Sequence, residues 1–341
     1  DLARQRRAEQ RTLLTRLSQL VQTENADLVL LSGDLLDSSQ TYQETVQALS
    51  RTLAEIHVPV FIAPGNHDFW SSRSIYAGTH WPDNVHIFST VSVESIELPQ
   101  LNCVVHGAAF TTPHADRSPL LGFSAPQDGN THLMVLHGEV DSRGRIDSQA
   151  IADSRLTYLA LGHVHACSGL QWAGSTAWAY PGCPEGRGFD ELGDKGVLSV
   201  TIDGEDVSAR FVPLAGRRYQ LLTVDLTGAD SPQEALEEAL TPDLERDCLR
   251  IRFTGFWPEP LDLNALEALA APRCFLCALR DETRPVRDLW ARTGEESLTG
   301  LFLRGLRRKL EDVSDPQERE RLTLATRFGL AALEHGEDCC P

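Results

Sequence analysis

Leu28-Val29-Leu30-Leu31-Ser32-Gly33-Asp34-Leu35-Leu36-Asp37 reads as a short buried strand that runs straight into a turn carrying two carboxylates. Three later stretches repeat the arrangement. Val58-Pro59-Val60-Phe61-Ile62 leads to Gly65-Asn66-His67-Asp68, and His132-Leu133-Met134-Val135-Leu136 leads to His137-Gly138. Leu156-Thr157-Tyr158-Leu159-Ala160-Leu161 leads to Gly162-His163-Val164-His165. Near-continuous apolar runs bounded by glycine are what parallel strands buried on both faces require. Open α/β sheets gather their ligands beyond the carboxyl ends of such strands. Carboxylate, amide and imidazole groups far apart in sequence are therefore expected on one rim. Oxygen and imidazole donors without cysteine favour manganese, iron or zinc over calcium. A lone histidine is commonly a satisfied core residue. Four polar clusters in order, all at strand ends, are not explained that way, because buried polar groups are costly without a compensating role.

The ordered set resembles the calcineurin-like metallophosphoesterase superfamily, whose pattern runs Asp-x-His, Gly-Asp-x-x-Asp, Gly-Asn-His-Asp/Glu, His, then Gly-His-x-His. The resemblance implies an α/β fold of that type, a four-layer αββα sandwich. It casts Asp34 as the carboxylate bridging two divalent metal ions, with manganese first and iron or zinc as substitutes. Asn66, His137 and His163 fall to the second ion and His165 to the first. His67 takes the family's catalytic role, and Asp68 is expected to orient its ring, as carboxylates do for functional imidazoles. Two such ions roughly 3.5–4 Å apart clamp a phosphoryl group and acidify water. His67 would then protonate the leaving oxygen or stabilise developing charge.

The opening Asp-x-His of the family has no counterpart after Asp1, which leads at once into a leucine-spaced helix with Leu13, Leu14, Leu17 and Leu20. Because the other ligands are all present, that motif is expected upstream of this sequence. A degenerate first metal site is the competing explanation. Length allows two domains, or one domain with an appendage, over 341 residues. No apolar stretch approaches a membrane span and no cationic-plus-apolar leader is visible. A formal charge of −18 argues against a basic nucleic-acid-binding surface. It leaves DNA open as a substrate, since metal ions and local arginines can supply the positive field. The eight cysteines read as reduced thiols of a cytoplasmic protein. Cys274 and Cys277 with Cys339 and Cys340 make a poorly spaced zinc set, so buried thiols are the preferred reading.

Three segments are expected. Residues 1–214 alternate strand and helix and close on a hairpin, 196–202 with 207–212, turning at Asp203-Gly204. Residues 215–284 read as a small βαβαβ cap: a strand at 219–225, a helix opened by Ser231-Pro232, a strand at 249–253, a helix at 263–270 and a strand at 273–279. Residues 285–341 are helical and charged, with Leu301, Leu303, Leu306 and Leu310 along one side.

This order resembles the SbcD-type and YhaO-like branch of the superfamily. A local match supports it: Pro181-Gly182-Cys183-Pro184-Glu185, then Asp194-Lys195-Gly196, is similar to the Pro-Gly-Ser-x-Glu…Glu-Lys-Gly stretch of that branch. Cys183 stands where Ser is usual and Asp194 where Glu is usual. The resemblance implies a manganese-dependent DNA exonuclease or endonuclease of double-strand-break repair. Its implied partners are DNA and an SbcC-like coiled-coil ATPase docked on the terminal helices. A homodimer is left open and no membrane is involved. Spacing alone supports only a phosphoesterase. A small-molecule or nucleotide phosphodiesterase or phosphatase, and a non-catalytic scaffold protein, stay as alternatives.

Overall fold

The structure, a computed structural model, describes residues 2–36, 42–114, 117–140, 146–285 and 289–335. In chain order the elements begin α1 (Leu2–Thr23), β1 (Val29–Leu31), α2 (Gln43–Glu55), β2 (Val60–Ile62), α3 (Ile75–Gly78), β3 (Val85–Ile87), β4 (Glu94–Leu98), β5 (Cys103–Gly107) and β6 (Thr131–His137). They continue α4 (Ser148–Ser154), β7 (Tyr158–Gly162), β8 (Gln171–Ala173), β9 (Thr176–Ala179), β10 (Gly196–Asp203), β11 (Asp206–Pro213) and β12 (Tyr219–Asp225). The last are α5 (Pro232–Ala239), β13 (Cys248–Thr254), α6 (Leu263–Ala270), β14 (Leu276–Asp281), α7 (Leu298–Glu311) and α8 (Pro316–His335). The chain divides into two compact units, one of residues 1–222, 241–250 and 271–278, the other of 223–240, 251–270 and 279–341.

In the first unit, β1, β2 and β3 form a parallel sheet, with Val29 opposite Val60 and Val60 opposite Val85. A second sheet has the order β4-β5-β6-β7-β9-β8, parallel through its centre and antiparallel at both edges. The strand period of two then sorts side chains into layers. Phe61 and Ala63 turn inward with Val105, Leu133, Val135, Tyr158 and Ala160, forming the core between the sheets. Their neighbours Val60 and Ile62 turn outward onto Leu49, Leu53 and Ile56 at α2. Met134, Leu136, Leu159 and Leu161 turn outward onto Ile151 of α4. The result is the expected helix–sheet–sheet–helix stack. Each fully buried aliphatic or phenyl side chain contributes about 1.5–3 kcal/mol.

The regular strand–helix alternation expected before residue 214 fails between β3 and β6. No α-helix intervenes there among the described residues, and β4 and β5 form an antiparallel pair. The chain changes sheets between β3 and β4, through residues 88–93. The hairpin β10–β11 is where expected, with Asp203 opposite Asp206 and Gly204 at φ 62° in its turn.

The expected βαβαβ order after Arg218 is present, and β12, β13 and β14 form a three-stranded sheet in that order. Leu249, Ile251 and Phe253 alternate as buried residues along β13. Ser231 caps α5 by accepting from the Glu234 amide at 3.1 Å, with Pro232 at the first turn. The last strand begins at Leu276, three residues beyond the expected start, because Ala271–Arg273 form a 3₁₀ turn. In the second unit, α7 and α8 pack together as a helical pair. Leu303 is fully buried, whereas Leu301 is exposed. Two residues at 100° each place Leu301 across the helix from Leu303, so the expected four-leucine side is narrower than the sequence suggested. Cys339, Cys340 and Asp37 lie outside the described residues.

Candidate metal centre

The site is built on strand ends whose backbone is bent to fit. Gly33 has φ 80° and Asp34 has φ 51°, both in the left-handed region that costs a non-glycine residue energy. What holds the bend is Asp68. Its carboxylate, 6% exposed, accepts the Asp34 and Gly65 amides on Oδ1 at 3.1 and 2.7 Å. Oδ2 accepts the Leu35 and Leu36 amides at 2.8 and 3.3 Å and the Tyr76 hydroxyl at 2.6 Å. Five donors compensate the loss of solvent by a buried carboxylate. Burial, the Asp68 charge and this hydrogen bond push the Tyr76 phenol well above its ordinary range, so it remains a donor. Asp68 is thus spent on the two loops after β1 and β2. The contacts of its carboxylate are with backbone amides and Tyr76, not with the His67 ring that it was expected to orient.

His137 ends β6 and is buried. Its Nδ1 donates to the Ser32 carbonyl at 2.7 Å, and its Nε2 lies 3.0 Å from Asn66 Oδ1 and 3.1 Å from Asp34 Oδ2. Glycine at 162 is required for this: a Cβ there would run into the same Ser32 carbonyl. His163 follows at φ 98°, its ring edge-on to His137 with centroids 5.2 Å apart. Donor atoms of Asp34, His137 and His163 all lie within 4.8 Å of one another. Phe110 also packs against His137, edge to face at 5.6 Å.

This arrangement fits a divalent cation. A carbonyl oxygen only accepts, so the Ser32 contact places the proton of His137 on Nδ1. The Nε2 lone pair then faces a carboxylate oxygen and an amide oxygen, three donor atoms aimed at one small volume. A hydrogen bond from the far nitrogen to a backbone carbonyl is how metal-ligating histidines are usually oriented. Burial opposes ionisation of Asp34. The His137 ring beside it and the His67 amide, which donates to it at 2.9 Å, outweigh burial and hold the carboxyl below its ordinary range. His67 itself is exposed and lines a cleft of about 160 Å³ with Leu36, Asp68, Phe69 and Arg73.

His165 is placed differently. Its donor atom groups with those of Cys183 and Glu191. Its Nδ1 is 2.6 Å from Glu191 Oε1. Of the residues proposed from sequence, the structure therefore gathers Asp34, Asn66, His137 and His163, sets the His67 amide on Asp34, and puts His165 in a second cluster. Tyr76 and Glu191 escaped the sequence reading. Glu191 lies between Phe189 and Asp194 at no motif position, and Tyr76 stands in no motif either.

Residues 6–167 match the family model for calcineurin-like phosphoesterase, a span that takes in the complete Asp34–His163 cluster and His165. They form a calcineurin-like phosphoesterase domain. The phosphoesterase is 27% identical over 332 residues to the uncharacterised metallophosphoesterase YhaO of Bacillus subtilis, covering 87% of this chain and 79% of YhaO. It is 27% identical over 134 residues to the SbcD component of the SbcCD nuclease of Staphylococcus epidermidis, covering 38% of this chain and 34% of that relative. It is 23% identical over 331 residues to the DNA double-strand break repair protein Mre11 of Methanopyrus kandleri, covering 86% of this chain and 70% of that protein. The phosphoesterase is accordingly a metal-dependent hydrolase of phosphoester bonds.

Proposed function

We propose that this phosphoesterase cleaves DNA phosphodiesters with two manganese ions and acts with an SbcC-like ATPase in double-strand-break repair. The observation that carries the reading is the convergence of Asp34, Asn66, His137 and His163 on one volume, in a chain similar over most of its length to a break-repair protein. Asp34 would bridge the ions, with Asn66, His137 and His163 on the second and His165 on the first. The mixed oxygen and imidazole donor set, without cysteine, suits manganese, with iron or zinc as substitutes. When bound, such ions neutralise phosphoryl charge and acidify water to near neutrality.

The protein groups divide the rest of the work. The Ser32 carbonyl orients His137, and Phe110 keeps water from that ring's flank. Asp68 fixes the loop that presents Asp34. His67 reaches into an open cleft, where its ring would supply a proton to the departing oxygen. Arg73 in the same cleft adds positive charge where a phosphate would approach.

The domain organisation expected from sequence belongs to the same proposal: a catalytic domain to about residue 214, a cap to 284, and terminal helices that dock the ATPase. Exposed Leu298, Leu301, Leu324 and Phe328 on α7 and α8 support a docking role for those helices. Among the described residues no helix is long and apolar enough to cross a membrane. The cytoplasm as the compartment belongs to the same proposal, since the eight cysteines read from sequence as reduced thiols.

The test compares linear duplex DNA with bis-p-nitrophenyl phosphate in Mn²⁺, with and without EDTA. The proposal expects cleavage of both substrates and silence on chelation. Hydrolysis of the small diester with no attack on DNA would favour a nucleotide or small-molecule phosphodiesterase. Activity undiminished in excess EDTA would overturn the metal reading.

A further inference from the structure

The segment 181–195 supplies none of the expected ligands, yet it is wrapped around one of them, His165. Glu191, 8% exposed, takes the His165 Nδ1 on one carboxylate oxygen at 2.6 Å and the Arg187 amide on the other at 2.7 Å. The His165 carbonyl is held by a second group of donors. Lys195 Nζ, on a side chain also buried at 7% exposure, donates to it at 2.9 Å. The Cys183 amide donates at 3.3 Å and its thiol at 3.6 Å. Gly182, at φ 81°, permits this approach, since a Cβ there would stand 3.0 Å from both the His165 carbonyl and the Cys167 amide. Ring and backbone of His165 are therefore each pinned, by residues 18 to 30 positions downstream.

We propose that Glu191 is a positioning residue for His165, holding its imidazole in the Nδ1–H tautomer so that Nε2 presents a lone pair, with Lys195 and Cys183 fixing the backbone beneath. The inference rests on the two-metal reading, in which His165 ligates the first ion. The geometry separates this role from a His165–Cys183–Glu191 metal site. Two ligands on one zinc stand about 2.0–2.1 Å from it and hence more than ~3 Å from each other. A 2.6 Å separation of Nδ1 and Oε1 is a hydrogen bond, not a chelate. The free histidine ring ordinarily favours a proton on Nε2, the nitrogen needed here for metal. A buried acceptor on Nδ1 reverses that preference and thereby pre-organises the ligand.

The test uses the full chain and Glu191→Ala, Glu191→Gln and His165→Ala variants, each checked for folding by its thermal melt. Nitrogen-15 NMR of the metal-free protein reads the His165 tautomer, and Mn²⁺ titration reads affinity independently of turnover. Wild type should hold the Nδ1–H form alone. Glu191→Ala should shift His165 toward Nε2–H and weaken Mn²⁺ binding at one site by about 10–100-fold. Glu191→Gln keeps an acceptor, so it should keep the tautomer and lose several-fold in affinity. His165→Ala should lose that site altogether. If His165→Ala bound Mn²⁺ as tightly as wild type at every site, the ligand assignment would fail. If His165→Ala lost the site while Glu191→Ala kept both tautomer and affinity, the positioning role would fail and the ligand assignment would stand. Should Glu191→Ala not fold, unchanged affinity in Glu191→Gln would likewise overturn the role.

Discussion

Asp68→Asn tests whether the carboxylate braces the site or serves the His67 ring. The substitution keeps shape but turns one acceptor oxygen into an NH₂ group. If the amide oxygen takes the Oδ2 position, the NH₂ group meets the Asp34 and Gly65 amides. In the other orientation it meets the Leu35 and Leu36 amides and the Tyr76 hydroxyl. At least two bonds to a buried charged group are lost in either case. At about 1.5–3 kcal/mol each, the cost is roughly 3–6 kcal/mol. That is a large share of the about 5–15 kcal/mol that holds a typical domain folded. Tyr76→Phe removes one donor and leaves four, so about 1.5–3 kcal/mol is expected. Urea unfolding of metal-free protein measures both, and Mn²⁺ titration reports on the Asp34 loop. Asp68→Asn should weaken metal binding although Asp68 ligates nothing, because the left-handed turn at Asp34 relaxes. Stability within ~1 kcal/mol of wild type with unchanged Mn²⁺ affinity would refute the brace. A loss of kcat alone would return Asp68 to orienting His67.

Asp34→Asn should remove metal as read by ICP-MS, while His67→Gln should keep metal and lose about 10²–10⁴ in kcat, the usual contribution of a general acid; equal metal loss in both would mean His67 is a ligand. A chain of contacts with two buried histidines at its centre runs from Ser95 through His106 and His132 to Asp128, at 2.7, 2.9 and 2.9 Å. Burial, aided by the His132 charge and opposed by Asp128, lowers the His106 pKa from 6.5 to about 4. The unfolded chain therefore binds the extra proton between these values, so stability is complete above pH 6.5 and falls as pH drops toward 4. The loss at the acid end is at most roughly 3 kcal/mol. Urea midpoints between pH 4 and 7 that do not move, or that move equally in His106→Phe, would contradict this.

The strands that carry the ligands were legible because a buried parallel strand is a local signal. Leu28–Leu31 and Leu156–Leu161 differ from the observed β1 and β7 by only a residue or two at their ends. The Ser231–Pro232 helix start was equally local, since a cap and its first turn are four residues long. The break in alternation between β3 and β6 was not legible, because edge strands such as Glu94–Leu98 are half exposed and mixed in polarity. Leu301 misled for a related reason: periodicity marks a broad stripe, and only packing decides which residues at its margin are covered.

Within the site, residue type and order along the chain named Asp34, Asn66, His137, His163 and His165 as candidate donors through the family resemblance they carry, and the structure brings the first four together. Chain order also determined which rim they would share, because parallel strands deliver their carboxyl ends to one side. Tertiary structure alone decided what each donor does. Asp68 was assigned to its neighbour in sequence, yet its partners lie up to 34 residues away on another strand's loop. His137 takes its orientation from a carbonyl 105 residues upstream, through a gap that exists because residue 162 lacks a side chain. Glu191 reaches His165 across 26 residues and no periodicity marks it. Local patterns record which residues are buried or bend the backbone, since those demands act within a turn or a strand. Hydrogen-bond partners are chosen by which loops the packed sheets bring within about 3 Å, and that choice is written only in the folded chain.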